Sequence, residues 1–134
     1  MRAATDARCR ELQFIREVRI MKLPNGENAV IDIEKLDGYC LNPNHRKGKH
    51  KARLFVRRLG LERNDAERLR QALHGAILKA EAIEQKRSAH GRKFVVNFGA
   101  GHGSGIIWYE TLVRSAWIVR NNEDFPRLVS CYPN

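Results

Sequence analysis

The stretch that decides the fold class is residues 64–83, which read NDAERLRQALHGAILKAEAI. Its apolar residues recur at helical spacing, and Asn64 followed by Glu67 resembles a capping box. The pattern predicts a long helix that begins at Asn64 and ends before Gly91, with β-rich sequence after it. The residues expected to line its buried side are Leu69, Leu73, Ala76, Ile77, Ala80 and Ile83.

The residues before this helix predict a second helix and a hairpin. Apolar positions at i, i+3, i+4 and i+7 predict a helix over residues 49–59, and Gly60 is a typical stop. Further upstream, an Asn-Gly pair at residues 25–26 lies between two β-type runs, residues 18–23 and 29–32. Such a pair favours a two-residue hairpin turn, because both of its central residues take positive φ.

The residues after the long helix predict strands. Residues 93–98 alternate, with Phe94, Val96 and Phe98 on one side, and a glycine-rich turn is expected at residues 99–105. The further β-rich runs are residues 106–109, 112–119 and 127–132, with a turn at residues 121–124.

Because helices and strands occupy separate parts of the chain, the predicted fold class is α+β. We expect an N-terminal hairpin and two helices packed on a C-terminal antiparallel sheet of three to four strands. The length suits a single domain over residues 1–134, in which residues 1–12 form a frayed N-terminal extension.

Charge is the strongest indication of function. The 134 residues include 25 Lys and Arg against 15 Asp and Glu, a formal net charge of +10. Such a charge attracts nucleic acid, an anionic lipid or an acidic protein, whereas a cationic surface that only confers solubility is the simpler interpretation. No apolar stretch approaches the roughly 18 residues of a membrane span, so no membrane partner is expected.

The cysteines and the opening residues bear on location. Cys9, Cys40 and Cys131 are odd in number and well separated, which argues against a disulfide framework and favours a reducing compartment. The opening residues lack the apolar segment of a secretory signal. We therefore expect a cytoplasmic protein.

The basic residues are concentrated in residues 45–58, HRKGKHKARLFVRR, which contain seven Lys or Arg, two His and no acidic residue. The first part is a glycine-containing loop that leads into a helix N-terminus, where free N–H groups favour a phosphate. Cations at that end oppose the helix dipole, which favours a bound anion among them; a solvated basic helix face is the alternative. His45 or His50 could exchange a proton near neutral pH, as RNA transesterification requires.

Two further patterns predict neither a metal site nor a cofactor. Cys40, His45 and His50 lack a fourth ligand at the spacing of a structural zinc site. The glycine-rich residues 99–105 lead into a β-type run, whereas a dinucleotide-binding fingerprint opens a helix.

The last β-rich runs carry polar and aromatic residues suited to RNA. Hydroxyl and guanidinium groups there could bind a phosphate, and Trp117 and Tyr132 could stack on bases, although core packing is the commoner role of such aromatics. Strand alternation places Ser115 and Trp117 on one face of the sheet and Arg114 on the other.

Two stretches resemble a small bacterial family without an established activity. The first is the string L-N-x-x-H-x-x-G-x-x-K-A-x-x-F from Leu41 to Phe55, and the second is Trp117-Ile-Val followed by PRLVSCYP at residues 126–133. The resemblance spans residues 18–133. Members of that family resemble toxin domains of toxin–antitoxin loci and polymorphic toxins, encoded beside a small antitoxin-like protein. The order of elements is similar to that of the barnase–EndoU–colicin–RelE ribonuclease superfamily.

This resemblance implies a metal-independent endoribonuclease, the toxin of a toxin–antitoxin or polymorphic toxin system, that cleaves tRNA or mRNA by 2′-hydroxyl transesterification. It also implies a small acidic antitoxin or immunity protein as partner. Two alternatives stay open: a non-catalytic nucleic-acid-binding module, and an interaction domain for an acidic protein. The candidate catalytic residues are His45, His50, Lys51, Arg114, Ser115, Arg127 and Ser130, and the candidate RNA-binding residues are Arg46, Lys47, Lys49, Arg53, Arg57, Trp117 and Tyr132.

Overall fold

A computed structural model describes residues 20–104 and 107–133, without the side chains of residue 20 and of residues 102–109. The frayed extension predicted at residues 1–12 lies outside the described residues.

Three helices come before the long strands in the described part of the chain. They are α1 (Ile33–Lys35), α2 (Lys49–Leu59) and α3 (Ala66–Lys79). α1 begins at Asp32, whose carboxylate accepts a hydrogen bond from the Glu34 N–H, and it continues into a π-helical turn, Leu36–Cys40. α2 has the bounds that its periodicity predicts, and it ends at Gly60, whose φ of 66° is left-handed.

The predicted long helix is shorter than expected and has a different cap. A turn of 3-10 helix leads into α3, and Glu62 and Asp65 form a reciprocal capping box, so the predicted cap at Asn64 is wrong. At the other end Ala80 is already extended, with ψ of 154°, and Ile83 lies in a strand. The buried residues of α3 are Ala66, Leu69, Leu73 and Ile77.

Within the described residues, five strands form one antiparallel sheet in chain order, β1-β2-β3-β4-β5. Their bounds are β1 (Ile20–Met21), β2 (Ala82–Glu84), β3 (Gly91–Ser104), β4 (Ile107–Arg120) and β5 (Arg127–Pro133). Residues 99–104, predicted as a turn, belong to β3, because β3 and β4 pair continuously from Gly91↔Arg120 to Ser104↔Ile107. Helices followed by an antiparallel sheet confirm the α+β class.

The predicted N-terminal hairpin is wrong. β1 pairs with β2, and Val30 forms a parallel bridge to Arg127 at the start of β5. A two-residue hairpin turn needs positive φ at both central residues. Here Asn25 has a φ of 51°, but Gly26 is not among the glycines with positive φ and begins a 3-10 turn. The Asn-Gly pair does form a turn, but the segments on either side of it pair with β2 and with the start of β5 instead of with each other.

The core lies between the helices and one face of the sheet. α2 packs beside β5, which places the basic helix along that edge. Ala116 of β4 pairs with Ser130, whereas the next residue, Trp117, pairs with Leu128. The residue between Ser130 and Leu128 therefore has no partner and forms a bulge in β5, which shifts the register of β5 against β4. The largest contributors to the core include Leu36, Leu41, Phe55, Leu73, Ile77, Phe94, Val96, Val113, Trp117 and Leu128.

Candidate nucleic-acid interface

Five cations of the predicted basic segment lie along one side of α2 and in the loop before it. Arg53 and Arg57 follow Lys49 at four-residue spacing and therefore lie on one side of α2, and Arg46 and Lys47 lie in the loop at its N-terminal end. None of these five side chains forms an ion pair or hydrogen bond with a described residue, and we call them the α2 basic surface. Six arginines elsewhere do form ion pairs: Arg63, Arg68, Arg70, Arg92, Arg120 and Arg127.

His45 caps α2. Its Nδ1 accepts hydrogen bonds from the backbone N–H groups of Lys47 (3.0 Å) and Gly48 (2.9 Å), and its carbonyl oxygen accepts one from the Lys49 N–H (3.0 Å). His45 thus occupies N–H groups that were expected to face a phosphate. Because Nδ1 accepts two hydrogen bonds, the N–H of the ring lies at Nε2. The free nitrogen is therefore a donor, whereas a general base needs a free lone pair.

The other positions of the Leu41–Phe55 string also have structural roles. The Asn42 amide spans the turn, because its oxygen accepts from the Asn44 N–H and its nitrogen donates to the Gly38 carbonyl. Gly48 is packed so tightly that a Cβ there would overlap the Tyr39 carbonyl oxygen. Leu41, Ala52 and Phe55 are buried in the core.

Lys51 joins α2 to the π-helical turn and to β5. Its ammonium group donates a 2.9 Å hydrogen bond to the Tyr39 hydroxyl and lies 5.7 Å from the centre of the Tyr132 ring. The Tyr39 ring also meets the His45 ring edge-on, at 4.7 Å between centres. The fold therefore places His45 and Lys51 against Tyr39, and Tyr132 on the far side of Lys51. Sequence analysis missed Tyr39, because no local pattern shows that a tyrosine in a loop lies against a helix twelve residues later.

A pair of buried thiols lies next to this cluster. A hydrogen bond from the Cys131 thiol lowers the pKa of Cys40 below its ordinary value, against the effect of burial, and the charges of Lys51 and Lys35 act in the same direction. The pKa of Cys131 is raised well above its ordinary value by its hydrogen bond to Cys40 and by burial. Cys40 and Cys131 are far apart along the chain, and the packing of the π-helical turn against β5 brings them together. Both cysteines are free thiols.

Ser115 and Trp117 share the inner face of the sheet, where they are fully buried. The Ser115 hydroxyl donates to the Val96 carbonyl (2.7 Å) and accepts from the Trp117 ring N–H (2.9 Å). With no exposed surface and with their hydrogen bonds internal, these residues are placed for packing. The fold therefore gives RNA no access to the two side chains that were expected to position and stack it.

Of the remaining candidates, Arg114 and Ser130 lie on one face of the neighbouring strands β4 and β5. Arg114 pairs in register with Tyr132 on the face opposite to Ser115, as alternation predicts. Two guanidinium nitrogens of Arg127 donate hydrogen bonds to the Glu123 carboxylate, at 2.8 and 2.7 Å. Ser130 is half-buried opposite Ala116. His50 is exposed on α2 and forms no hydrogen bond with a described residue.

The described part of the chain contains neither a candidate metal site nor a candidate membrane-spanning helix. No group of three or more His, Cys, Asp or Glu residues is arranged to hold a metal ion there. No helix in that part is long and apolar enough to cross a membrane.

Comparison with known proteins identifies a family and no function. No curated protein and no solved structure matches the chain. One sequence family, described as "Domain of unknown function (DUF6883)", matches residues 22–134. The match covers every described element that follows β1. The chain therefore belongs to the DUF6883 family.

Proposed function

We propose that this protein binds RNA through the α2 basic surface. The observation that carries the proposal is that five cations lie close together on α2 and the loop before it without an ion pair to a described residue, whereas six arginines elsewhere form one. Neighbouring like charges repel each other, and the first turn of α2 contains no acidic residue to offset them. A phosphate backbone removes both penalties, because it places anions between the side chains and releases its own counterions.

We further propose that bound RNA is cleaved without a metal ion, by attack of the 2′-hydroxyl on the adjacent phosphorus and departure of the 5′-oxygen. The supporting observation is the position of Lys51 and Tyr39, a hydrogen-bonded ammonium and phenol at the N-terminal end of the basic surface. His50, whose ring is free, accepts the 2′-hydroxyl proton. The Lys51 ammonium stabilises the charge of the pentacoordinate transition state, and the Tyr39 hydroxyl supplies a proton to the leaving oxygen.

The toxin role is part of the same proposal. A cytoplasmic ribonuclease harms its host unless an inhibitor binds it, and a basic RNA-binding surface is the natural docking site for a small acidic antitoxin. Growth of a bacterial host after induction measures the effect, and the expected result is arrest that an acidic partner relieves.

RNA binding is tested by removing two charges from the α2 basic surface. The Arg53→Gln/Arg57→Gln double variant is compared with Arg68→Gln/Arg70→Gln, which removes two exposed arginines of α3 that are already paired with Asp65 and Glu67. Affinity for a single-stranded RNA is measured over a series of salt concentrations. We expect the α2 variant to flatten the log–log salt dependence by about 1.4, which is about 0.7 for each lost phosphate contact.

The α3 variant is expected to keep the wild-type slope, because its arginines are neutralised in the free protein. Equal slopes for the two variants would contradict the proposal, since the binding charge would then be spread over the whole molecule.

A further inference from the structure

A groove runs along one side of α2, between that helix and the turn before α3. Its apolar floor is formed by Leu41, Ala52 and Val56. Val56 is 49% exposed although it lies between the cations of α2, so an apolar side chain faces solvent where a polar one would be expected. We call this feature the α2 groove.

The rim of the groove carries groups able to form hydrogen bonds. Asn44 and Asn64 line it, and neither side-chain amide is hydrogen-bonded to a described residue. Glu62 adds a carboxylate, and Arg53 and Arg57 are shared between the groove and the α2 basic surface. Polar donors and acceptors therefore surround an apolar floor, an arrangement typical of small-molecule sites.

A phosphate does not suit the interior of this groove. An apolar floor cannot replace the water around an anion, so an anion is better held by the arginines at the rim than on the floor. A nucleobase does suit it, because a base is uncharged and flat and its edge carries both donors and acceptors. Asparagine amides bind such edges in both directions, and a carboxylate accepts from an exocyclic amine.

We propose that the α2 groove is a nucleobase subsite that selects single-stranded RNA. Arg53 and Arg57 hold the flanking phosphates while one base lies on Val56, with Asn44 and Asn64 at its edge. In a duplex the bases are stacked and paired, so none can enter the groove, whereas a single strand can turn a base out. This inference rests on the proposed function, since it names the RNA that the basic surface binds.

The experiment compares Val56→Ser with Leu78→Ser. Leu78 lies on α3, outside the groove, and its side chain is 50% exposed, so the two changes remove similar apolar surface without altering charge. Binding is measured to a single-stranded RNA of twelve nucleotides and to a duplex of the same sequence. We expect Val56→Ser to weaken binding to the single strand about three- to tenfold, by loss of apolar contact, and to leave duplex binding and the salt slope unchanged.

Leu78→Ser is expected to bind both RNAs as the wild type does. Equal wild-type affinity for the single strand and the duplex, or an equal loss in the two variants, would overturn the subsite while leaving RNA binding intact. Absence of binding to either RNA would instead contradict the proposed function. A peptide of alternating Glu and Leu is tested in parallel: if it binds and Val56→Ser abolishes its binding without affecting the single strand, the groove belongs to an acidic protein segment and the nucleobase proposal fails.

Discussion

Gly48 shows at the scale of one residue why the loop before α2 has its composition. The backbone of residue 48 lies against Tyr39, whose carbonyl oxygen occupies the place of a Cβ, although the φ of Gly48 is an ordinary −87°. Close approach, and not a left-handed conformation, is what requires glycine here. The contact holds the basic loop against the turn that carries Tyr39 and Cys40. Gly48 therefore sets the position of the basic side chains of the loop relative to Tyr39.

Replacing this glycine tests whether the contact exists in solution. We expect Gly48→Ala to lower the free energy of unfolding by about 1–3 kcal/mol, because the methyl group must displace the backbone of Tyr39. Gly38→Ala is the matched control, since a Cβ at that nearby glycine meets no atom within 4 Å. Urea unfolding of both variants measures the difference, and equal stabilities would show that the loop is not seated on Tyr39.

Among the elements, those with strong local patterns could be predicted. α2 was predicted with its bounds because its apolar period and Gly60 are both local signals. The long helix was extended too far, because Ile83 continues the helical period although it pairs with Val95 in the sheet. Glycine is common in loops, so the sequence predicts a turn at residues 99–105, but residues 99–104 pair with β4 and form the end of β3.

The candidate site could be predicted only in part, for a related reason. A run of exposed cations is visible in the sequence, and so is the opposition of Arg114 to Ser115 on a strand. Which cations form ion pairs depends on tertiary contacts, and so does the lack of ion pairs on the α2 basic surface. The Lys51–Tyr39 hydrogen bond and the contact between Cys40 and Cys131 also depend on tertiary contacts. The burial of Ser115 depends on which face of the sheet the helices cover.

The turn before α2 provides a test that separates a structural role of His45 from catalysis. His45→Ala removes the acceptor for two N–H groups of that turn, and we expect it to lower the free energy of unfolding by about 0.5–2 kcal/mol, a loss similar to that of a side-chain acceptor at a helix start. His45→Asn keeps a short acceptor at the same position and should restore much of that loss. Thermal or urea unfolding and RNA cleavage are measured on both variants.

If His45 has only this structural role, the His45→Asn variant, whose stability is close to that of the wild type, also cleaves RNA at a rate close to that of the wild type. A stable His45→Asn protein that binds RNA without cleaving it would show that the imidazole itself takes part in the reaction.

For the molecule as a whole, the distribution of charge matters more than its total. The net charge is +10, and the ion pairs of the described residues lie before and along α3, at β2 and in the turn before β5, none of them on the α2 basic surface. That surface lies beside the edge of the sheet where Lys51 contacts Tyr39 and faces the Tyr132 ring. A polyanion bound to α2 is thus brought next to the groups that could transfer its protons.

The cleavage step is tested by incubating purified protein with total bacterial RNA in EDTA and mapping the new ends. We expect discrete cuts that leave 2′,3′-cyclic phosphates, because the 2′-hydroxyl is the attacking group. His50→Ala should reduce the rate about 10²- to 10⁴-fold, the usual contribution of a general base, with little change in RNA affinity. His90→Ala removes another exposed histidine, outside α2, and should cleave as the wild type does. RNA that is bound but stays intact would end the proposal of a free-standing nuclease and leave a binding domain, whose single-strand selectivity would then be its whole function.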